Sequence, residues 1–146
     1  MQREPVSFLI VDDDKVSVMS MQRVIRKLRL INPVKVAKDG LEALEILSRV
    51  NAPGELQSPY IVILDLNMPR MSGHEFLKVI REDPALKDTI VFVVTTSDAP
   101  HDVKAAYASH VAGYILKDHG PESFRDALEL LGAYSEVVLL PTGSAA

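Results

Sequence analysis

The stretch YIVILDLNMPRMSG, residues 60–73, joins an apolar run to a polar turn. Five consecutive apolar residues, Tyr60–Leu64, are typical of a strand that is buried on both faces of a parallel sheet. Asp65 follows at the carboxyl end of this strand, and Asn67, a Met-Pro pair and Gly73 complete the turn. A solvated turn does not need a carboxylate at this place, so Asp65 is a candidate functional group.

Four further apolar runs extend the pattern along the chain. They are SFLIV (Ser7–Val11), VKVA (Val34–Ala37), IVFVVT (Ile90–Thr95) and GYIL (Gly113–Leu116). Helical spacing of apolar residues and capping residues lie between the runs, and helices are predicted to begin near Asp14, Asp39, Ser72 and Pro121. Strand and helix alternate five times, which predicts an α/β domain with a parallel sheet.

Composition narrows the class of protein. The chain has 146 residues, the length of one ordinary domain, and its net charge of −4 argues against non-specific nucleic-acid binding. The absence of cysteine excludes disulfides and thiolate chemistry and fits a reducing compartment. The start of the chain does not resemble a signal peptide, and no apolar stretch approaches the ~20 residues of a membrane span. We therefore expect a cytoplasmic protein with neither nucleic acid nor membrane as a partner.

Polar residues stand at the carboxyl ends of four of the five predicted strands. Ligands of open parallel sheets bind at this edge, where the strand order reverses. The four loops are therefore predicted to line one pocket. Its candidate residues are Asp12, Asp13 and Asp14 after the first strand, Asp65 after the third, Thr95, Thr96 and Ser97 at the end of the fourth, and Lys117 after the fifth.

The charges of this constellation indicate a metal ion. If Asp12, Asp13 and Asp65 converge beside Lys117, two negative charges remain in excess, and holding them close together is costly unless a cation joins them. A site made only of oxygen ligands suits Mg²⁺, which binds one or two carboxylates together with waters and phosphate oxygens.

Phosphoryl transfer is the chemistry that such a site supports. Carboxylates serve as covalent acceptors of phosphoryl groups, and Asp65 is the candidate nucleophile. The protein then has to neutralise the three equatorial oxygens of the phosphoryl group. Lys117 supplies a charge for one oxygen, Thr95 a hydroxyl for the second, and Mg²⁺ serves the third.

Four motifs, FLIVDDD, ILDLNMPRMSG, FVVTTSD and GYILK, resemble the response-regulator receiver family of bacterial two-component signalling. They occur in the family's order and spacing, and the resemblance covers about residues 7–133. It implies a doubly wound, flavodoxin-like fold, in which a five-stranded parallel sheet of order 2-1-3-4-5 carries helices on both faces.

The resemblance also implies residue roles at the metal site. Asp65 is the phosphoacceptor. Asp13 and Asp65 bind Mg²⁺ directly, the main-chain carbonyl of Asn67 is a third ligand, and Asp12 acts through water.

Further implied roles concern the phosphoryl group and the response to it. Thr95 and Lys117 contact the phosphoryl group, and Tyr114 is the switch aromatic, whose ring moves inward as Thr95 is drawn toward the phosphate. Asn67 and Ser97 occupy positions at which the family tunes the rate of dephosphorylation. The movement of Thr95 and of the Tyr114 ring changes the face made by the fourth helix, fifth strand and fifth helix.

The chain departs from the family after Lys117. The family has a proline there, in a cis peptide, whereas this chain has Asp118. A cis bond before a residue other than proline costs ~2.5–4 kcal/mol, so whether the Lys117–Asp118 bond is cis or trans stays open.

The end of the chain suggests a subgroup. Residues 132–141, GAYSEVVLLP, resemble the ending of single-domain receivers that are paired with bacterial phytochrome histidine kinases, where a similar segment forms a homodimer. We expect a receiver domain over residues 1–133 and a C-terminal extension over 134–146, with a dimerisation arm and a disordered end. The alternative is that residues 137–140 pack back on the core.

The predicted function is that of a single-domain response regulator. It accepts a phosphoryl group on Asp65 from a histidine kinase or a phosphotransfer protein and then binds a downstream protein. It is not an enzyme beyond self-phosphorylation and autodephosphorylation. One alternative is a receiver-like module that is never phosphorylated. Another is a phosphohydrolase with an aspartate nucleophile, but such enzymes need an acid two residues later, where Asn67 cannot exchange a proton.

Several candidate residues also have structural interpretations. Asp14, Thr96 and Ser97 are candidate helix caps, and Tyr114 could be an ordinary strand aromatic. The histidines show no metal-ligand spacing and are expected on the solvated surface; they are His74, His101, His110 and His119.

Overall fold

The computed structural model describes residues 5–117 and 121–141, with residues 121–124 described by their backbone alone. Five strands and five helices alternate along the chain. The strands are β1 (Ser7–Val11), β2 (Val34–Ala37), β3 (Tyr60–Leu64), β4 (Ile90–Thr95) and β5 (Gly113–Leu116). The helices are α1 (Lys15–Lys27), α2 (Gly40–Leu47), α3 (Gly73–Glu82), α4 (Pro100–Ala108) and α5 (Pro121–Val137).

The strands form one parallel sheet in the order β2-β1-β3-β4-β5. All five have the bounds predicted from the apolar runs, and the implied strand order is confirmed. The order reverses between β1 and β3, where Val11 lies opposite Leu64. The Asp65 N–H donates to the Val11 carbonyl at 2.9 Å, and the residues that follow β1 and β3 therefore lie side by side.

Two apolar cores lie on opposite faces of the sheet because successive strand residues point to opposite sides. Val11 and Leu64 face one side, packed against α2, α3 and α4. Phe8 and Ile63 face the other, packed against α1 and α5. Since both faces are covered, the central strands need apolar residues at every position. This explains why continuous apolar runs predicted them.

Three helices begin at the caps that the sequence predicts. The carboxylate of Asp14 accepts the N–H groups of Val16 and Ser17, and that of Asp39 accepts the N–H of Glu42. Ser72 forms a reciprocal capping box with Glu75 at the start of α3. These bonds satisfy N–H groups that have no partner within the helix.

Helix α4 has a different start. Its N-cap is Ala99, which makes no side-chain capping bond, and Pro100 occupies the first turn. The prediction that Thr96 or Ser97 caps a helix is therefore wrong for α4. Ala106 is the one α4 residue that is fully buried, so the helix carries little apolar periodicity. This is why its extent is not evident from the sequence.

The C-terminal segment is divided between core and surface. Tyr134 packs edge-on against Phe92 with ring centroids 5.2 Å apart, and Leu140 contacts the core under α1 and α5. Val137 and Leu139 are 74% and 83% exposed. Within the described parts of the chain, no helix is both long enough and apolar enough to span a bilayer.

One partly buried arginine joins two connections of the fold. Arg81, near the end of α3, donates to the carbonyls of Lys87, Thr89, Ser109 and His110 at 2.7–3.1 Å. These carbonyls belong to the α3–β4 loop and to the turn after α4. A planar guanidinium can satisfy several acceptors at once, which the single ammonium of a lysine cannot do in the same geometry.

We predict that Arg81→Ala lowers the free energy of unfolding by about 2–3 kcal/mol, because it leaves partly buried carbonyls without a donor. Urea denaturation measures the change. The control is Arg49→Ala, which removes an exposed i,i+4 pair with Glu45 and should cost less than about 0.5 kcal/mol. Equal losses in the two variants would contradict the role given to Arg81.

Candidate functional site

Three aspartates converge at the carboxyl edge of the sheet. One carboxylate oxygen from each of Asp12, Asp13 and Asp65 lies within 4.8 Å of the others. Asp12 and Asp65 are buried, at 3% and 6% exposure, whereas Asp13 is exposed. The structure therefore brings together the cluster that the strand ends predict. The cause is local, because β1 and β3 are paired in register up to the residues before these carboxylates.

Lys117 reaches this cluster from the end of β5. Its Nζ lies 2.7 Å from Oδ2 of Asp12 and 3.6 Å from Oδ2 of Asp65, and the lysine side chain is only 6% exposed. Nζ also lies 3.4 Å from the hydroxyl of Ser17 on α1. Asp118 lies outside the described residues, so the isomer of the Lys117–Asp118 peptide bond stays open.

The pKa of the Asp12 carboxyl is raised by its surroundings. Burial raises the pKa of Asp12, and the bonds from Lys117 and from the N–H of Asp14 only partly oppose this effect. The nearby carboxylate of Asp65 raises it further. By formal charge, one ammonium faces three carboxylates in this cluster.

The donor set fits a hard divalent cation. All three side chains offer oxygen, and their carboxylates approach one another as ligands of one ion would. An added cation would offset the repulsion among the three carboxylates and favour their ionised forms. Asn67 is exposed in the turn two residues beyond Asp65, so its backbone belongs to the same rim of the sheet.

A groove of about 600 Å³ leads to the cluster. Its walls come from the start of α1, from β2 and the residues after it, and from Pro69 and Arg70. It is open to solvent on the side where Asp13 is exposed. The groove is therefore lined by two of the three carboxylates, those of Asp12 and Asp13.

Arg70 and Asp39 form an ion pair in the wall of this groove. The guanidinium lies 2.6 and 2.7 Å from Oδ2 of Asp39, which is 2% exposed. Burial opposes ionisation of Asp39, but the N–H of Glu42 and the charge of Arg70 hold its pKa below the usual value. The sequence predicted Asp39 only as a helix cap. The pair also ties the turn after β3 to the turn after β2.

Gly73 lets helix α3 approach the end of β3 closely. A Cβ at this position would lie 2.6 Å from the carbonyl oxygen of Asp65 and 2.7 Å from Cα of Leu66. Both contacts are to backbone, which cannot move aside as a flexible side chain can. The first turn of α3 and the end of β3 are therefore fixed relative to each other.

Thr95 and Tyr114 lie on the β4 and β5 side of the site. Thr95 is fully buried at the end of β4, and the exposed Thr96 follows it. The ring of Tyr114 packs against the core under α2, α3 and α4, and its hydroxyl donates to the Ser97 carbonyl at 2.7 Å. Burial raises the pKa of Tyr114. Tyr114 thus contacts the β4–α4 loop that Thr95 begins.

Two residues near this loop have contacts that the sequence did not predict. Nε2 of His74 on α3 lies 2.9 Å from Oδ1 of Asp102 on α4, so His74, with its side chain 33% exposed, has a carboxylate partner that was not expected. His101 and His110 are exposed, as expected, and His119 lies outside the described residues. The pair forms because α3 and α4 are adjacent, which no local pattern in the sequence encodes.

Comparisons with known proteins agree with this geometry. Residues 8–129 match the model of the response regulator receiver domain. The response regulator Rcp1 of Synechocystis sp. is 31% identical over 138 residues, which cover 94% of each chain.

Two solved structures show the same fold. The phosphorylated cyanobacterial phytochrome response regulator RcpA superposes with a TM-score of 0.83 at 27% identity, and the Mn(2+)-bound form of Rcp1 with 0.79 at 31%. In both cases the match covers 94% of this chain and 99% of the other. The chain belongs to the response regulator receiver domain family.

Proposed function

We propose that this chain is a single-domain response regulator that accepts a phosphoryl group on Asp65 in a Mg²⁺-dependent reaction. The observation that carries the proposal is the convergence of Asp12, Asp13 and Asp65 around the buried Nζ of Lys117. The donor is a phosphohistidine of a sensor kinase or of a phosphotransfer protein. A carboxylate oxygen of Asp65 attacks phosphorus, the P–N bond breaks, and its electron pair stays on the imidazole.

The metal would be held by Asp13, Asp65 and the main-chain carbonyl of Asn67, with Asp12 acting through water. When bound, Mg²⁺ would neutralise charge on the phosphoryl oxygens. The exposed position of Asp13 suits a residue that meets the ion from solvent. The Mn(2+)-bound form of Rcp1 supports a divalent ion in a relative of this chain.

Lys117 and Thr95 would serve the other phosphoryl oxygens. The ammonium of Lys117 already bridges toward Asp12 and Asp65, so a small rotation brings it to an oxygen on phosphorus. The hydroxyl of Thr95 is buried at the end of the neighbouring strand. Positioning and charge neutralisation are what phosphoryl transfer asks of a protein.

The output would be a change of a protein-binding face. Thr95 and Tyr114 are the switch residues. The hydroxyl of Tyr114 donates a hydrogen bond to the carbonyl of Ser97, which lies in the loop that follows Thr95. Movement of Thr95 toward the phosphoryl group displaces this loop and changes the hydrogen bond between Ser97 and Tyr114. Asn67 and Ser97 would tune how long the phosphoryl group persists before autodephosphorylation.

The partners would be a sensor histidine kinase of the bacteriophytochrome type, a downstream protein, and a second copy of this chain, all in the cytoplasm. RcpA is described as a phytochrome response regulator, which supports the first of these. Exposed Val137 and Leu139, beyond a receiver domain at residues 1–133, support a dimerisation arm within residues 134–146.

We predict that the intact mass increases by one phosphoryl group after incubation with acetyl phosphate and Mg²⁺, and that Asp65→Asn abolishes this increase. Omission of Mg²⁺ should slow the reaction at least about tenfold, because excess negative charge would then repel the donor. Asp126→Asn, which changes an exposed aspartate on α5, is the matched control. A folded wild-type protein that gains no mass would point to a module that acts without phosphorylation.

We predict that Lys117→Ala still accepts a phosphoryl group but loses the response of Tyr114 to it. The reason is that the ammonium is the group that couples the phosphoryl oxygens to β5. Tyrosine ring signals in NMR spectra, recorded before and after phosphorylation, measure the response. Lys27→Ala, at an exposed lysine in the last turn of α1, should respond like the wild type. A full response in Lys117→Ala would refute the coupling.

We predict that the wild-type protein is a dimer by light scattering and that Leu139→Glu is a monomer, because a charge cannot be buried in an apolar seam without a partner. Val16→Glu is the control, since Val16 is also apolar and 71% exposed but lies on the first turn of α1. A monomeric wild type, or dissociation by both variants, would remove the dimerisation arm from the proposal.

A further inference from the structure

A chain of side-chain contacts joins α3 to the β4–α4 loop. The hydroxyl of Ser97 donates to Oδ2 of Asp102 at 2.6 Å. The other oxygen of Asp102, Oδ1, lies 2.9 Å from Nε2 of His74. Both oxygens of this carboxylate are therefore engaged by side chains, one from the loop and one from α3.

Ser97 has further contacts toward the proposed phosphorylation site. Its carbonyl accepts the hydroxyl of Tyr114 at 2.7 Å, and its N–H lies 3.5 Å from Oγ1 of Thr95. One residue thus contacts Thr95, Tyr114 and Asp102 through three different groups. A displacement of Ser97 has to change the support of both proposed switch residues.

The carboxylate of Asp102 is a well-held acceptor. Its side chain is 19% exposed, and the hydroxyl of Ser97 and the ring of His74 together hold the pKa of Asp102 below its usual value. His101 also approaches Oδ1, at 3.5 Å, but it is 84% exposed. The internal contacts, to Ser97 and His74, are therefore the ones that can fix the loop.

We propose that Asp102, held by His74, is a positioning residue that fixes Ser97, and thereby sets the position of Tyr114 and the lifetime of the phosphoryl group on Asp65. The inference rests on the proposed function, since it concerns the same site. Asp102 touches neither Asp65 nor the metal ligands in the described contacts and acts through Ser97.

The hydroxyl of Ser97 is the group through which Asp102 would act on the lifetime of the phosphoryl group. While it donates to Asp102, it is committed to that carboxylate. Once released, it is free to bind a water molecule near the phosphoryl group. In hydrolysis this water forms a bond to phosphorus, the bond from phosphorus to the Asp65 oxygen breaks, and inorganic phosphate leaves while the carboxylate is restored. Asp102 therefore slows hydrolysis by withholding the hydroxyl.

The first test measures the decay of phosphorylated protein. Asp102→Ala should shorten the lifetime at least about threefold, and Ser97→Ala/Asp102→Ala should decay no faster than Ser97→Ala alone, because two residues that act through one contact are not additive. His101→Gln, beside the same carboxylate, should leave the lifetime unchanged. An unchanged lifetime in Asp102→Ala, or additive effects in the double variant, would overturn the inference.

The second test needs no phosphorylation. In the unphosphorylated protein, Asp102→Ala should shift the ring signals of Tyr114, assigned with Tyr114→Phe, while those of Tyr60 and Tyr134 stay in place. His74→Ala should shift the same signals, and His74→Gln should restore them in part, because an amide can still donate to Asp102. Asp102→Leu, in which the side chain has a similar branched shape and no acceptor, replaces Asp102→Ala if the alanine variant does not fold.

The two tests separate the inference from the proposed function. A wild-type protein that is never phosphorylated would defeat the proposed function, and with it the effect on lifetime. The ring signals would still show whether Asp102 positions Tyr114. If the wild type is phosphorylated and the Tyr114 signals do not respond to Asp102→Ala or Asp102→Leu, the positioning role is wrong although the function stands.

Discussion

The parallel pairing of β1 with β3 is the constraint on which the site depends. Val11 lies opposite Leu64, and an aspartate follows each of them in the sequence. The carboxylates of Asp12 and Asp65 therefore leave the sheet side by side. Like charges at that spacing repel unless cations intervene. Lys117 arrives from the far edge of the sheet and pairs with Asp12 at 2.7 Å. The strand order thus concentrates negative charge, and the fifth strand supplies only part of the charge that opposes it.

This arrangement is not explained by stability alone. A buried ion pair is weak evidence for stability, since removing two charges from water costs about as much as their attraction returns. Apolar residues in place of Asp12 and Lys117 would fill the same volume without that cost. Charged groups at a buried strand end are instead typical of functional sites. Burial raises the pKa of Asp12, and the nearby carboxylate of Asp65 adds to this effect.

Much of the fold could be predicted from sequence because its signals are local. The strands are continuous apolar runs such as Tyr60–Leu64, and caps such as Ser72 act within one helical turn. The acidic cluster could be inferred once the strand ends were placed. What could not be predicted depends on which helices meet. The His74–Asp102 pair and the bonds of Arg81 join residues that are distant in sequence, and α4 buries too little to reveal its extent.

The contact of Gly73 with the end of β3 has a consequence for how the chain can change in evolution. Gly73 carries no chemistry, yet a single added carbon atom would meet the backbone of Asp65 and Leu66. Tolerance of substitution at position 73 is therefore set by the backbone of Asp65 and Leu66. The constraint passes through main-chain atoms that every amino acid possesses. A position can therefore be restricted to one amino acid solely by the space that its missing side chain leaves empty.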